Sequence, residues 1–351
     1  MVRPMNREIA KSPATKAVDR RLSVAPMMDW TDRHQRMLMR AIAPNTLLFT
    51  EMVTTGAILF GDQARHLAFS AAEHPIALQL GGSDPDDLAR AAEISSGYGY
   101  NEINLNCGCP SDRVQSGSFG ACLMAEPAHV ARLVTAMRGA TDLPVTVKCR
   151  IGIDDCDTGP FLDEFVDALA AAGCETFYIH ARKAWLKGLS PKENRDIPPL
   201  DYDRVRLLKK RCPELEILLN GGLKTVDEMQ AAMQASDDLP ALDGVMIGRE
   251  AYQNPLIMAE AEAAIMGNAH VPAEPSAILT GMSEYVANRL AAGTPLKSIP
   301  RHMMGLMNGR AGARLWRRTL SSVPQNADIS WHEIIDTAAG IEARSRDQAA
   351  A

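Results

Sequence analysis

The stretch NEINLNCGCPSDRVQSGSFGACLM, residues 101–124, contains a predicted strand that ends beside a cysteine. Glu102 to Asn106 alternate between polar and apolar residues, as a short strand does, and a glycine and a proline then end the strand on either side of Cys109. The residues after it predict a mobile polar loop from Ser111 to Gly120. A thiol between a strand end and such a loop is suited to chemistry on a substrate that the loop covers. The alternative is a small buried residue in a tight turn.

The rest of the chain repeats this unit, a short apolar strand followed by an amphipathic helix. Strands are predicted at Leu22–Asp29, Leu47–Val53, Ile76–Gly81, Glu102–Cys107, Val145–Ile151, Thr176–Ala181, Glu216–Asn220 and Gly244–Gly248. Helices are predicted at Pro85–Ser96, Pro127–Arg138, Phe161–Ala172, Asp203–Arg211 and Thr225–Gln234. Continuous apolar strands are typical of a parallel sheet buried on both faces, and eight units in about 250 residues predict an α/β fold, the (β/α)8 TIM barrel. A doubly wound open sheet is the alternative, although no G-x-G-x-x-G motif follows the first strand.

The length of 351 residues exceeds one barrel, so a second, smaller domain is expected after it. Proline and small residues between Gly267 and Pro275 predict a linker. We therefore expect a flexible tail at 1–21, the barrel at 22–267, a smaller domain at 268–340 and a C-terminal tail at 341–351. The helical pattern weakens beyond Pro324, and the segment from Glu342 to Ala351 is expected to be frayed.

Composition limits the class of protein. Apolar residues make up 46% of the chain, which is enough for a sizeable core, and no apolar run reaches the roughly 18 residues of a membrane span. The N-terminal segment lacks the apolar region of a signal peptide. The seven cysteines are odd in number and lack paired metal-ligand spacing, which favours a cytoplasmic protein without a metal site.

The formal net charge of −6 conceals one strongly basic segment. Between Tyr285 and Ala327, hereafter the basic segment, there is no Asp or Glu, and the positive residues are Arg289, Lys297, Arg301, Arg310, Arg314, Arg317 and Arg318. A polyanion would neutralise such a segment and bind with strong salt dependence. The alternative is a solvated helix whose apolar stripe faces the core.

Polar residues end nearly every predicted strand, and a TIM barrel brings such residues together at its active-site rim. They include Asp29, Glu51, Gln79, Asn106, Cys109, Lys148, Arg150, His180, Arg182, Asn220 and Arg249. The segments NGGL (Asn220–Leu223) and IGRE (Ile247–Glu250) follow strands seven and eight, where such barrels often bind phosphate. Pro26–Met28 could lie against a flat ring, Gln79 could bond a ring amide, and Lys148 could place a positive charge beside a reduced ring. Together these residues suit flavin mononucleotide (FMN) better than a sugar phosphate.

Several long motifs resemble the bacterial tRNA-dihydrouridine synthases. They are APMMDWTD (25–32), NLNCGCPSDRVQSGSFGACLM (104–124), VKCRIGIDD (147–155), HARKAWLKGLSPKENRDIPPLDY (180–202), NGG (220–222) and GREAYQNP (248–255). The segments HARKAWLKGLSPKENR (180–195) and RHMMGLMNGRAGARLWRR (301–318) are similar to the A-type subgroup in particular. The resemblance implies an FMN-binding barrel and a C-terminal all-α helical-bundle domain that binds tRNA. It also implies NADPH-dependent reduction of uridines at positions 20 and 20a of the tRNA D-loop.

By position, the resemblance implies roles for individual residues. The FMN contacts would be Pro26, Met27, Met28, Gln79, Lys148, His180, Asn220, Gly221, Gly222, Gly248 and Arg249. The general acid would be Cys109, and the RNA contacts would be Asn106, Lys192, Arg195, Arg314 and Arg317. Cys107 is a second thiol two residues before the acid, and strand alternation would turn both thiols to the same side. The sequence alone does not decide between them, but the flanking glycine and proline favour Cys109 as the thiol that reacts.

The residue types are consistent with the implied reaction. Reducing the C5=C6 bond of uracil needs a hydride from flavin N5 at C6 and a proton at C5 on the opposite face of the base. A thiol with the usual pKa of about 8.5 is mostly protonated at neutral pH and can supply that proton. Two alternatives keep the fold, namely an FMN-dependent reductase or dehydrogenase of a free pyrimidine, of the dihydroorotate type, and a non-catalytic RNA-binding protein. A monomer is expected.

Overall fold

The computed structural model describes residues 18–111, 117–236, 238–267, 274–323 and 329–350. Eight parallel strands form one sheet, namely β1 (Leu22–Val24), β2 (Leu48–Thr54), β3 (Ile76–Gly81), β4 (Glu102–Cys107), β5 (Val145–Arg150), β6 (Thr176–His180), β7 (Glu216–Asn220) and β8 (Gly244–Ile247). Neighbours pair in the order β1-β8-β7-β6-β5-β4-β3-β2, and a bridge between Ser23 and Leu47 joins β1 to the start of β2. The sheet therefore closes on itself, and the predicted TIM barrel is confirmed.

Helices surround the strands. They are α1 (Arg33–Ile42), α2 (Thr55–Phe60), α3 (Gln63–Leu67), α4 (Pro85–Ser96), α5 (Pro127–Ala140), α6 (Thr158–Ala171), α7 (Tyr202–Arg211), α8 (Val226–Ala232), α9 (Arg249–Gln253) and α10 (Ile257–Met266). The five predicted helices are all present, with ends that differ by a few residues. Helix α6 begins before the predicted Phe161 because the Asp157 side chain accepts a hydrogen bond from Gly159 N and caps the first turn.

Strand β1 ends at Val24, well before the predicted end at Asp29. Pro26 has no N–H to donate to a neighbouring strand. Directly after it, Met27 O accepts hydrogen bonds from Trp30 N (3.1 Å) and Thr31 N (2.9 Å), so the chain turns there. The segment from Met27 to Asp29 consequently lies at the rim of the barrel rather than in the sheet.

The helices after the barrel pack together as an all-α unit. They are α11 (Pro275–Gly281), α12 (Ser283–Ala291), α13 (Ala313–Ser322) and α14 (Trp331–Ala350). Trp316 of α13 is fully buried, and its Nε1 donates to Met303 O at 2.8 Å. The predicted domain limits stay a prediction, and most of the predicted linker, residues 268–273, lies outside the described residues. None of the described helices is long and apolar enough to cross a membrane.

The chain continues as helix α14 to Ala350, whereas the sequence predicts a frayed tail from Glu342 onward. Glu342 is only 4% exposed, and its carboxylate accepts hydrogen bonds from Ser276 N (2.7 Å) and Ser276 Oγ (2.5 Å). A carboxylate at this position satisfies an N–H of the first turn of α11. This contact joins α14 to α11 at the residue where the frayed segment is predicted to begin.

Residues 18–21 contact the barrel, although the sequence predicts a loose tail over 1–21; residues 1–17 lie outside the described residues. Arg20 Nε donates to Glu102 Oε2 at 2.6 Å, and Arg20 Nη1 donates to Glu216 Oε2 at 3.1 Å. Glu102 is fully buried, and the hydroxyls of Thr146 and Tyr178 also donate to it, at 2.7 and 3.1 Å. A buried carboxylate needs such partners, so Arg20 belongs to the closed end of the barrel.

Candidate active site

A cavity of about 780 Å³ opens at the carboxyl ends of the strands. Its volume lies in the range of small-molecule pockets, about 300 to 1,000 Å³. The lining includes every residue that the sequence predicts to contact FMN, together with Cys109, Asn106 and Arg195. The barrel thus brings together at one rim residues that lie as far apart in the chain as Pro26 and Arg249.

Cys109 lies in a turn that Asn106 holds in place. The Asn106 Oδ1 atom accepts hydrogen bonds from the backbone N–H groups of Gly108 and Cys109, both at 3.0 Å. This turn ends β4 and brings the half-buried thiol to the cavity, where its Sγ donates to Ser111 Oγ at 3.5 Å. The predicted mobile loop begins here, but its residues 112–116 lie outside the described residues.

Cys107 does not line the cavity. It is fully buried in the hydrophobic core, and burial raises the pKa of its thiol well above the usual value. The expectation that both thiols turn to the same side is wrong because β4 ends at Cys107 and the turn at Asn106 interrupts the two-residue alternation. Of these two thiols, only Cys109 can meet a ligand in the cavity.

A chain of buried hydrogen bonds orients the amides at the cavity floor. Asn106 Nδ2 donates to Gln79 Oε1 (2.8 Å), and Gln79 Nε2 donates to Asn104 Oδ1 (2.8 Å). Asn104 Nδ2 donates in turn to Thr146 Oγ1 (2.9 Å), whose hydroxyl donates to Glu102. Buried groups that are linked in this way fix one another's orientation. Gln79 therefore presents its amide to the cavity in one defined orientation.

Lys148 places a positive charge in the cavity. Its Nζ donates to Asn220 Oδ1 at 2.9 Å, and Asn220 Nδ2 donates to Met246 O at 2.8 Å, so the lysine is held in place. Burial, and then the charge of Arg150, lower the pKa of Lys148 to about 8, which leaves it mostly protonated at neutral pH. Burial, and then the charges of Arg150 and Lys148, lower the pKa of His180 well below its usual value, so this imidazole is neutral.

Two glycines form part of the cavity wall with backbone alone. Gly221 and Gly222 have φ angles of 114° and 75°, in a region of positive φ that residues other than glycine rarely adopt. A Cβ atom at Gly221 would lie 2.5 Å from His180 Cδ2, and one at Gly222 would clash with Leu200. His180 and Leu200 therefore pack directly against this backbone, which lines the cavity and requires glycine at both positions.

The predicted phosphate site after β7 differs in one respect from the expectation. The Glu228 carboxylate accepts hydrogen bonds from Lys224 N (2.6 Å) and Thr225 N (3.1 Å) and forms a capping box at the start of α8. These N–H groups are therefore occupied by the protein's own carboxylate. The backbone at Gly221 and Gly222 and the start of α9, where Gly248 has no side-chain capping bond, remain as the places where a phosphate could bind.

A family model described as dihydrouridine synthase (Dus) matches residues 23–339. The chain belongs to the dihydrouridine synthase family. It is 56% identical over 302 residues to the tRNA-dihydrouridine(20/20a) synthase of Escherichia coli K12, with 86% of each chain covered. The protein of the same name from Shewanella oneidensis is 54% identical over 307 residues, with coverage of 88% of this chain and 90% of the relative. That from Vibrio cholerae is 55% identical over 302 residues, with 86% and 90% covered. The resemblance seen in the motifs is thus confirmed, and the chain is an enzyme of this family.

The residues that are predicted to contact RNA lie in different places. Asn106 and Arg195 line the cavity, whereas Lys192 is exposed beside it, just before the short 3₁₀ helix Glu193–Arg195. Arg314 and Arg317 are exposed on helix α13 and do not line the cavity. They face solvent on the all-α unit, where only a large ligand could reach them together with the cavity.

Arg249, a predicted phosphate contact, is paired with the protein itself. Its Nη1 lies 2.7 Å from Asp196 Oδ1, and its Nη2 donates to Arg195 O at 3.3 Å. Asp196 is exposed, so the pair is weak and a phosphate could compete for the guanidinium.

A second, cationic cavity of about 1000 Å³ lies between the barrel and the helices that follow it. Its positive residues are Arg33 and Arg65 of the barrel and Arg289, Lys297 and Arg301 of the basic segment. Its one acidic lining residue, Asp32, is paired with Arg301 at 2.8 Å. Arg301 Nη2 also donates to Asp29 O (3.2 Å), and Asp29 lines the first cavity, so the two cavities are neighbours. The sequence pattern indicates only the part of this surface that belongs to the basic segment.

A series of side-chain contacts that the sequence does not indicate connects the barrel to His302 of the all-α unit. Trp30, at the cavity rim, stacks on Tyr252 of α9 with ring centroids 4.4 Å apart. The Tyr252 hydroxyl lies 3.1 Å from His302 Nδ1, and His302 Nε2 lies 3.0 Å from Asp32 Oδ2. No local pattern relates these positions in the sequence. Their only mark in the sequence is that they lie in the motifs APMMDWTD (25–32), GREAYQNP (248–255) and RHMMGLMNGRAGARLWRR (301–318).

Proposed function

We propose that this protein reduces uridine to 5,6-dihydrouridine in tRNA, at positions 20 and 20a, with FMN as its cofactor and NADPH as the reductant. The observation that carries the proposal is the first cavity, where the Cys109 thiol, the Lys148 ammonium and the backbone of Gly221 and Gly222 meet at one barrel rim. The names of the relatives, tRNA-dihydrouridine(20/20a) synthase, support the substrate and its positions.

The residues of the cavity fit FMN. The backbone of Gly221 and Gly222 lines the cavity, the protonated Lys148 suits a ring that becomes anionic when reduced, and Gln79 offers an oriented amide. Pro26, Met27 and Met28 would contact the ring, while Gly248 and Arg249 would hold the phosphate at the end of β8. Bound FMN would supply the hydride that adds to C6 of the uracil. His180 is neutral and suits a hydrogen bond to the cofactor rather than an ion pair.

Cys109 would supply the proton that adds to C5. Its thiol is half-buried at the cavity and is held in one place by the turn at Asn106. An S–H group carries a proton that it can donate in such a step, whereas an ionised carboxylate has none to give. The uracil would lie between this thiol and the cofactor, turned out of the tRNA at a cost of a few kcal/mol that other contacts offset.

The cationic cavity would provide such contacts. Five positive side chains converge there, and the guanidinium of Arg65 and the ammonium of Lys297 form no hydrogen bond or ion pair with any part of the chain that the structure describes. Unpaired cations attract backbone phosphates without regard to sequence. The cavity adjoins the first one, so tRNA bound there would have a nucleotide within reach of Cys109. Lys192, Arg195, Arg314 and Arg317 would extend this contact over the surface.

The proposal is tested with the purified protein and with tRNA from cells that lack it. The protein should carry FMN, lose its yellow colour on addition of NADPH, and regain it when tRNA without dihydrouridine is added. Mapping should then locate dihydrouridine at positions 20 and 20a only. A protein that binds no added FMN would contradict the proposal, and turnover of a free pyrimidine without tRNA would favour the small-molecule reductase instead.

The cationic cavity predicts a charge effect on tRNA binding. The double variant Arg65→Gln/Lys297→Gln is expected to weaken tRNA binding about tenfold and to reduce the slope of log K against log salt by about two, because two phosphate contacts are lost. Filter binding across a KCl series measures both quantities. The control is Arg90→Gln on helix α4, which is exposed and forms only a long ion pair with Asp87 (3.8 Å). Equal slopes for the two variants would show that the cavity does not bind tRNA.

A further inference from the structure

Arg150, the last residue of β5, is a buried cation that the proposed chemistry does not use. It is 2% exposed and lines the floor of the first cavity. No carboxylate pairs with it among the residues that the structure describes, and burial lowers the pKa of its guanidinium to about 10. Burying an arginine without an acidic partner costs free energy. The contacts that Arg150 makes instead of an ion pair therefore require an explanation.

All the hydrogen bonds that Arg150 donates end on backbone carbonyl groups. Its Nε donates to Gly108 O at 3.0 Å, and its Nη1 donates to Lys183 O and Asn194 O, both at 2.9 Å. Lys183 and Asn194 belong to the long connection after β6. One planar guanidinium therefore joins two rim loops that come from different strands.

The bond to Gly108 acts on the peptide group that carries Cys109. The carbonyl of Gly108 and the N–H of Cys109 are the two ends of that peptide group. Arg150 holds the oxygen, and Asn106 Oδ1 holds the N–H at 3.0 Å. Because a peptide group is planar, fixing both ends fixes its rotation, and with it the direction in which the Cys109 side chain leaves the backbone.

The other two bonds act on the loop that carries Arg195. Asn194 is fully buried, its Oδ1 accepts from Trp185 N (2.7 Å), and its Nδ2 donates to Trp185 O (2.9 Å) and Leu189 O (3.1 Å). The loop is thus a single folded unit around Asn194, with Arg195 next to it at the cavity. A displacement of this loop would therefore be transmitted to the peptide group of Cys109 through the Arg150 side chain.

We propose that Arg150 is a positioning residue for Cys109, which sets the direction of the thiol and links it to the loop after β6. The role of the thiol as an acid rests on the proposed function, but the positioning itself does not. Lysine keeps the charge yet cannot hold three carbonyl groups in a fixed fork. In Arg150→Lys the thiol would therefore keep its electrostatic surroundings and lose its fixed direction.

The test compares Arg150→Lys with Arg40→Lys. Arg40 is a matched control, because its guanidinium also donates only to carbonyl groups, those of Ala43, Pro44, Glu73 and Pro75, and burial also lowers its pKa to about 10. It lies at the opposite end of the barrel, near the start of β3. A loss of activity that both variants share therefore reflects a loss of general stability. A loss of activity in Arg150→Lys alone reflects a change at the site.

Two readouts are measured on the full-length protein loaded with its cofactor. The rate of Cys109 alkylation by iodoacetamide, followed by peptide mapping without tRNA, should rise at least threefold in Arg150→Lys and stay unchanged in Arg40→Lys. In single turnover with tRNA, the rate for Arg150→Lys should fall at least tenfold while tRNA affinity stays within threefold, since small displacements of a reacting group are costly. If the wild-type protein forms no dihydrouridine, the proposed function is refuted. The alkylation rates alone then decide whether Arg150 positions the Cys109 thiol.

Other outcomes overturn the proposal. An unchanged alkylation rate together with weaker tRNA binding would mean that Arg150 contacts the substrate and does not position the thiol. If Arg150→Lys does not fold, Arg150→Gln, which keeps an N–H donor at similar reach, is measured with the same expectation. If neither folds while Arg40→Lys does, Arg150 serves the stability of the barrel, and the positioning role is refuted.

Discussion

Replacing Cys109 by alanine is expected to lower the rate of dihydrouridine formation about 10²- to 10⁴-fold, which is the usual contribution of a positioned general acid. The backbone turn should survive, because Asn106 holds it through the N–H groups of Gly108 and Cys109 and not through the sulfur. FMN content and the rate of reduction by NADPH should therefore equal those of the wild type. The loss appears only when the reduced enzyme is mixed with tRNA and the return of flavin absorbance is followed.

The neighbouring thiol provides the matched control. Cys107 is two residues away but fully buried in the core, so Cys107→Ala should lose about 1 kcal/mol of stability and keep the rate with tRNA. Cys109→Ser should lie between the two, since a hydroxyl is a poorer acid that can still relay a proton. Wild-type turnover by Cys109→Ala, or loss of turnover by Cys107→Ala at full flavin content, would exclude Cys109 as the acid.

The sequence was sufficient for the barrel and for the composition of its rim. Most strands of this closed parallel sheet are largely apolar, and the polar residues Gln79, Lys148 and Asn220 lie toward their carboxyl ends. These are local signals. Topology then brings the strand ends together, so residues far apart in the chain could be placed in one site before any coordinates were known.

Features that depend on distant partners could not be predicted in this way. Arg20 reads locally as part of a polar tail, yet its partners Glu102 and Glu216 lie 82 and 196 positions further along. The sequence around Arg65 is not as rich in basic residues as the basic segment is. Its contribution to the cationic cavity is therefore visible only in the three-dimensional structure. The direction of Cys107 was mistaken for a related reason, because strand alternation holds only as far as the strand itself.

Asn106 shows how one residue can be placed correctly while its contacts stay hidden. The motif places it at the rim and implies an RNA contact, which remains a prediction. The structure adds that its oxygen holds the Cys109 turn and its nitrogen holds Gln79, so the residue connects the thiol to the amide chain. A contact of this kind depends on side-chain geometry across two strands, for which a single sequence carries no signal.

Gly221→Ala is expected to abolish stable FMN binding, with at least a tenfold rise in the dissociation constant, so that the protein is purified colourless. Two effects combine. The φ angle of 114° is strained for any residue with a Cβ, by about 1–2 kcal/mol, and the new methyl group would lie 2.5 Å from Cδ2 and 3.0 Å from Nε2 of His180. Either the backbone or His180 must move, and both belong to the proposed cofactor site.

Gly99→Ala separates these two effects. Gly99 also has a positive φ, 88°, but a Cβ there would meet no atom within 4 Å. In urea unfolding, Gly99→Ala should therefore lose about 1–2 kcal/mol of stability from backbone strain alone and Gly221→Ala more because of its added clash, while only Gly221→Ala should lose flavin. FMN affinity is measured by the quenching of flavin fluorescence on titration with protein. If Gly221→Ala binds FMN as tightly as Gly99→Ala does, the cofactor does not lie against the backbone after β7, and the orientation proposed for it in the barrel is wrong.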